Sequence, residues 1–369
     1  MTPEVVESGG IRLRRFRPDD VDDLAAGCAD PLVLRFNPVM PEPYTEADAR
    51  WWIAEGAPAA WRGGGAAYAV ADRDTDRLLG GAGLGQVVAA RRQAELGCWV
   101  APWARGRGVA TAAARALAEV AFHAGTVRLE LLTHAENPAS QRVALAAGFR
   151  HEGVRRAAGQ TRGGGRQDLV AWVRHADDPP GPTRRLLPDL PEGRLSDGVV
   201  TLRPLGAGDV ELMYRLHTRP EVVANQAPPV PPTRAAVERR CRLAESGWLT
   251  GAAARLLILD AVTGEPAGSC GLTYSDPDAG EATIGYALLP SARGRGTATR
   301  AVRLLAGWAF GPAGIARLAA GTMPENTASH RVLERVGFRR EGLLRGRLPG
   351  LDGTRIDDLI FGLLPGELR

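Results

Sequence analysis

The 369-residue chain repeats itself once, and this limits its fold more than any other property. The segment Trp103–Ala113, WARGRGVATAA, returns as Ser291–Ala301, SARGRGTATRA. Arg105 matches Arg293 and Phe122 matches Phe310, each at an offset of 188 residues. Arg128 matches Arg317, Gly148 matches Gly337 and Asp168 matches Asp357 at an offset of 189, so one insertion falls between the long helix pattern and the strand after it. Solenoid repeats have periods of roughly 20 to 50 residues, and a period this long is duplication of a whole domain. Whatever one half folds into, the other folds into as well.

The periodicities predict the same elements in each half. An alternating strand, Ile11–Phe16 or Val200–Leu205, is followed by a helix with acidic residues at its start, Asp19 and Asp20 or Asp209. Pro-rich turns (38–43 and 228–232) precede a second short helix containing residues 49–54 or 235–243, and two more strands follow. A strand ending in Pro, ELGCWVAP or TIGYALLP, then leads into each RGRG loop. The loop opens a helix predicted over Val109–His123 or Thr297–Phe310. Next come the strands VRLELLTH and IARLAAGTM, and helices capped by Asn137 or Asn326 and ended by Gly148 or Gly337. Two closing strands finish each half. The stretch His175–Leu195 is rich in Pro and charge and lacks a period, which reads as a semi-rigid linker. The expected division is therefore a domain over residues 1–176, a linker over 177–195 and a domain over 196–369.

A strand, a Gly/Arg loop and a helix N-terminus form an anion cradle. Glycines allow the backbone to approach a phosphate, first-turn N–H groups lack intrahelical partners, and the helix dipole favours negative charge. A dinucleotide-binding fingerprint is excluded, because Thr111 and Thr299 stand where a third glycine belongs. The net charge of +4 is spread out, with 22 Arg against 22 acidic residues in 1–178 and 24 against 20 in the remainder, so no nucleic-acid footprint is present. All 46 basic residues are Arg, which removes any lysine-based covalent mechanism. Cys28, Cys98, Cys241 and Cys270 are far apart and form no CxxC pair, so neither a disulfide framework nor a metal site is expected. No apolar run approaches about 18 residues and the first residues carry no leader pattern, which predicts a cytoplasmic protein that does not engage membranes.

Several motifs occur in order, and twice. Arg105, Gly108 and Ala110, like Arg293, Gly296 and Ala298, fit the pattern (Q/R)-x-x-G-x-(G/A). NPASQRV (137–143) and NTASHRV (326–332) fit N-x-A-S-x-R-V, and GFRHEG and GFRREG follow them. In these features the chain resembles the GNAT superfamily of acyl-CoA-dependent N-acetyltransferases, each half looking most like the ribosomal-protein alanine N-acetyltransferase (RimJ/RimL) type. The resemblance implies two tandem GNAT folds of the α/β (α+β) class, each a mixed, mostly antiparallel sheet flanked by helices.

It also implies a chemistry: direct acetyl transfer from acetyl-CoA, as acyl donor and without a metal, to a primary amine of a small molecule or a peptide N-terminus. The CoA pyrophosphate site falls on Arg105, Gly106, Arg107, Gly108, Val109, Ala110 and Thr111, and on Arg293, Gly294, Arg295, Gly296, Thr297, Ala298 and Thr299. Backbone groups of Trp99 and Val100, and of Ala287 and Leu288, are expected to pair with pantetheine and polarise the thioester, with Asn137 and Asn326 on the same arm. Ser140 and Ser329 match the proposed proton donor for the departing thiolate. A common alternative donor, a Tyr four residues before Gly-Phe, is replaced by Ala144 and Leu333. Glu95 is the expected base of the first half, and Glu281, two residues before Thr283, that of the second. Carboxylates at 30, 42, 46, 48 and 55 suit a cationic acceptor for the first half, while residues 219–242 are Arg-rich. A non-catalytic acyl-CoA sensor or scaffold is the competing reading.

Overall fold

Each half of the sequence folds into its own eight-stranded sheet, and the two sheets have the same strand order. The computed structural model describes residues 5–369 and divides into one unit ending at Arg184 and another running Arg185–Arg369. The strands of the first unit are β1 (Val6–Ser8), β2 (Ile11–Arg14), β3 (Ala66–Asp72), β4 (Leu78–Val88), β5 (Gln93–Val100), β6 (Arg128–His134), β7 (Arg150–Gln160) and β8 (Arg166–His175). Its helices are α1 (Val21–Cys28), α2 (Pro31–Phe36), α3 (Glu46–Trp51), α4 (Ala57–Arg62), α5 (Val109–His123) and α6 (Pro138–Ala146). The second unit repeats the order with β9 (Leu195–Ser196), β10 (Val200–Pro204), β11 (Ala253–Asp260), β12 (Pro266–Asp276), β13 (Glu281–Leu288), β14 (Arg317–Thr322), β15 (Arg339–Pro349) and β16 (Arg355–Leu363). Its helices are α7 (Val210–His217), α8 (Pro220–Val223), α9 (Arg234–Arg242), α10 (Ala244–Leu249), α11 (Thr297–Phe310) and α12 (Thr327–Val336). The helices predicted after the RGRG loops have the bounds found for α5 and α11. Helices α2 and α8 were not foreseen: each is a single short turn begun by Pro, too brief to leave a periodic signal.

Both sheets run β1-β2-β3-β4-β5-β6-β8-β7 or its equivalent, antiparallel throughout except at one place. There β5 lies parallel to β6, and β13 parallel to β14. Helix α5 buries Ala114, Leu117, Ala118 and Ala121, and α11 buries Ala298, Ala301, Val302, Leu305, Ala306 and Ala309, in the i, i+3, i+4 stripe of a helix lying on a sheet. Largely alanine faces bring these helices close to the sheet. Among the described residues no helix is long and apolar enough to cross a membrane.

The stretch expected to be a linker is packed onto both units in turn. Thr183 donates its N–H to the Leu145 carbonyl (2.9 Å) and its hydroxyl to that of Phe149 (2.8 Å). Leu187 and Leu190 are buried in the second core, where Trp248 Nε1 donates to the carbonyls of Leu187 and Pro188 (3.1 and 3.0 Å). Burial of leucines outweighs the open conformation that the prolines and charges otherwise favour.

A bidentate ion pair anchors the start of each unit. Arg14 meets Asp20 at 2.7 Å through both oxygens, and the two side chains are 8% and 3% exposed. Arg203 and Asp209 repeat the pair at 2.6 Å, with 41% and 11% exposure. Asp20→Ala leaves the buried Arg14 guanidinium with Asp76 (3.0 Å) as its remaining carboxylate and is expected to destabilise the first unit by about 2 kcal/mol. Asp209→Ala, with its arginine solvated, is expected to cost the second unit only about 1 kcal/mol. Calorimetric transitions of the two variants check the difference.

Candidate functional site

The loop between β5 and α5 turns on two glycines in the left-handed region, Gly106 (φ 73°) and Gly108 (φ 75°), and Gly294 (75°) and Gly296 (79°) repeat the turn. A non-glycine residue is strained there. A Cβ at any of the four would meet no protein atom within 4 Å, so the loops face open space. Gly108 and Gly296 are the N-caps of α5 and α11 and supply no side-chain cap. The first-turn N–H groups, at Val109, Ala110 and Thr111 and at Thr297, Ala298 and Thr299, are therefore left for another acceptor. The arginines beside them differ between the copies. Arg105 pairs with Asp30 and Arg107 with Asp72 (3.2 Å), whereas Arg293 donates to the Leu288 carbonyl (3.2 Å). Arg295, its counterpart to Arg107, forms no ion pair among the described residues.

The strand before each loop parts from its parallel neighbour. Pairing covers Gln93–Glu95 against Arg128–Glu130, and Glu281–Thr283 against Arg317–Ala319, and ends there. From Leu96 to Val100, and from Ile284 to Leu288, the backbone has a partner strand on one side only, which includes the predicted Trp99, Val100, Ala287 and Leu288. Across the opening, Asn137 Oδ1 accepts from the Ser140 N–H and Asn326 Oδ1 from the Ser329 N–H, both at 3.2 Å. The asparagines are thus N-caps, and their amide nitrogens have no hydrogen bond among the described residues. Ser140 and Ser329 occupy the same place on α6 and α12.

The two serines have different surroundings. Tyr286 on β13 places its hydroxyl 2.6 Å from Ser329 Oγ, and burial pushes its pKa up to about 12. A phenol, absent from position 333, thus stands beside Ser329 from a neighbouring strand. In the first unit Cys98 stands in place of Tyr286, its thiol pushed up to about 11 by burial.

Glu95 and Glu281 separate sharply. Glu95 is half-buried and pairs in register with Glu130 on β6. Glu130 lies between Arg128 (2.8 Å) and Arg155 (2.5 Å); burial works against its charge, but these guanidinium groups hold it below the usual carboxylate range. Burial raises the pKa of Glu95, repulsion from Glu130 raises it further, and Arg155 offsets part of the effect. Two adjacent carboxyls driven in opposite directions are the arrangement that lets one act as a proton acceptor. Sequence spacing did not reveal Glu130, because the contact crosses two strands. Glu281, by contrast, is bound to Arg317 (2.7 Å), which also holds Glu341 (2.6 Å), and it lies outside the cleft lining. The in-register counterparts of Glu95 and Glu130 in the second unit are Thr283 and Ala319.

Nor do the acidic residues expected to greet a cationic acceptor converge in the first unit. Asp30 is bound to Arg105, Glu42 to Arg162 (2.8 Å) and Glu46 to Arg50 (2.7 Å), and Asp48 caps α3 through Thr45. Local ion pairs and a cap absorb the charge of these four, and Glu55 is exposed on the turn between α3 and α4.

The second unit contains a cavity of about 1050 Å³ running from the RGRG loop to α7, α8 and α9. Its lining includes Gly294, Gly296 and Thr297 of the loop, Asn326, Ser329 and Tyr286, together with His217 of α7, Arg240 of α9 and Arg255 of β11, and Ser269 opposite Ala287. Gln226 Nε2 donates to His217 Nδ1 (3.3 Å), so Nε2 carries the proton and faces Ser269 Oγ at 3.4 Å. Burial, with Arg240 and Arg255 nearby, lowers the pKa of His217 to about 4. No motif in the sequence marks this histidine.

The family profile of the Acetyltransferase (GNAT) domain matches residues 11–150 and again 200–339. The uncharacterized N-acetyltransferase p20 of Bacillus licheniformis is 32% identical over 170 residues, which cover 46% of this chain and 94% of that protein. The solved structure of Mycobacterium smegmatis RimJ in complex with CoA-disulfide is 28% identical and covers 47% of this chain and 86% of its own, at a TM-score of 0.41. With the domain matched twice over most of its length, the chain belongs to the GNAT acetyltransferase family and is an acyltransferase.

Proposed function

We propose that both units bind acetyl-CoA and that the first transfers its acetyl group directly to a primary amine, on a small molecule or a peptide N-terminus. The pairing of Glu95 with Glu130 carries this reading, because it supplies a carboxylate of raised proton affinity beside a parted strand. The glycine loops fit a pyrophosphate: uncapped first-turn N–H groups face open space, and no side chain obstructs them. The unpaired edge of β5 at Trp99 and Val100 offers pantetheine and the thioester carbonyl their hydrogen bonds, and the Asn137 amide lies on the same side. A thioester supplies an activated acyl carbon. The neutral amine attacks it, the C–N bond forms and the C–S bond breaks, the surplus proton passes to Glu95 directly or through water, and Ser140 or a water protonates the thiolate. Four cysteines without disulfides suit the cytoplasm as its location.

For the second unit one observation favours binding without transfer. Thr283 and Ala319 leave it without the carboxylate pair, while its loop, parted strand and Asn326 are intact. Thiol release from acetyl-CoA across a panel of amines tests the proposal. Release with at least one amine is the expected result; tight acetyl-CoA binding with no release across peptides, amino acids and polyamines favours the sensor reading.

A further inference from the structure

Three positions that are apolar in the first unit are an imidazole and two guanidinium groups in the second. Cys28 at the end of α1 corresponds to His217 at the end of α7, and both helices have eight residues. Thr45 and Thr233 cap α3 and α9, which matches Trp52 with Arg240. The cross-strand row Ala67, Gly83, Gly97 matches Arg255, Gly271, Gly285.

In the first unit Cys28 and Trp52 belong to an apolar cluster. Trp52 meets Phe16 edge-on, with centroids 6.3 Å apart, in a cluster with Cys28 and Trp99. An added Cβ at Gly81 would lie 2.6 Å from the Trp99 indole nitrogen. In the second unit Ala287 replaces Trp99, Leu205 replaces Phe16 and Ser269 replaces Gly81, and the space is open. Residues opposed in an antiparallel ladder share a face, so Arg255 extends over two residues without side chains, Gly271 and Gly285.

Neither Arg240 nor Arg255 has a hydrogen bond or ion pair among the described residues. Partial desolvation against the cleft wall and the neighbouring charge of Arg240 lower the proton affinity of Arg255, although the residue as a whole is exposed. Among the described residues Glu221 is the single carboxylate lining the cavity, against Arg240, Arg255, Arg293, Arg331 and Arg335. Arg240 is half-buried and Arg255 exposed on the open wall of the cleft, so both guanidinium groups are free to receive an anion from solution. CoA phosphates do not account for them. On the reading above, the pyrophosphate belongs to the loop after β13, whereas Arg255 lies two strands away on β11 and Arg240 on α9.

We propose that the far end of the second unit's cleft binds a small molecule bearing a carboxylate or phosphate, held by Arg240 and Arg255 with Ser269 and His217 as hydrogen-bonding partners. This rests on the CoA reading only for which end of the cleft remains free, and it holds whether or not the second unit transfers acetyl groups. Full-length protein saturated with CoA, which fills the loops, is titrated calorimetrically with inorganic phosphate, with succinate and with methylammonium. One or both anions are expected to bind with a Kd of about 1 mM or tighter, and the cation not at all. Binding of phosphate alone identifies a phosphoryl ligand, and binding of succinate a carboxylate ligand. Arg255→Ala, which installs the residue of the first unit, and Arg240→Gln are each expected to weaken the anion at least about tenfold with CoA stoichiometry unchanged. Absence of anion binding, or binding that survives both substitutions, overturns the proposal. Thiol release is scored separately, so loss of catalysis with anion binding retained counts against the transfer reading alone.

Discussion

Glu95→Gln is expected to lower the acetyl-transfer rate by about 10² to 10⁴-fold, the contribution of a positioned general base, with little change in acetyl-CoA affinity. The amide matches the carboxylate in shape and cannot accept the proton. The pH profile gives an independent check. Glu95 must be ionised to work, and burial and Glu130 raise its pKa, so the acid limb of the wild-type rate should lie above the ordinary carboxylate range. Stability should move in the opposite direction to activity. The folded state holds the Glu95 proton more tightly than the unfolded chain does, so its contribution is full below the unfolded pKa and is lost as pH rises through the folded one. At neutral pH the Gln variant should therefore melt at a higher temperature than wild type. Glu281→Gln, which removes only an ion pair with Arg317, should leave the rate unchanged. A Glu95→Gln protein with full activity would remove the carboxylate from the mechanism.

Gly108→Val and Gly296→Val should each abolish one acetyl-CoA site. A branched residue held in the left-handed region costs about 1–2 kcal/mol or more, and its side chain projects into the space the loop faces. Calorimetric titration of wild type is expected to give a stoichiometry of two, one for each matched domain, and of one for either variant. Turnover separates them: Gly108→Val should eliminate thiol release, because it disables the unit containing Glu95, while Gly296→Val should retain it. A stoichiometry still at two in both variants would mean that the pyrophosphate lies elsewhere.

Much of this arrangement is legible in the chain because its signals are local. The RGRG turns, the Asn137 and Asn326 caps and the stripes of α5 and α11 each depend on residues within a few positions of one another, and the duplication states them twice. What escaped is non-local. Glu130 reaches Glu95 across a parallel pairing of strands separated by a whole helix, and Tyr286 reaches Ser329 from β13 to α12. The exchange of Cys28, Trp52 and Ala67 for His217, Arg240 and Arg255 joins three elements, so no window of sequence contains it. Charges misled for the complementary reason: Glu42, Glu46 and Asp48 form a visible acidic run, but Arg162, Arg50 and Thr45 engage them before any ligand does.

Leu187 and Leu190 decide how the halves can be prepared as separate proteins. A fragment beginning at Ser196 discards two buried leucines, each worth about 1.5–3 kcal/mol, and leaves the Trp248 indole N–H without its two carbonyl acceptors. One ending at residue 176 loses the strap by which Thr183 closes over Leu145 and Phe149. Cutting between Arg184 and Arg185 keeps both fastenings, and gives each half the hydrophobic plug or clasp with which it folds in the intact chain.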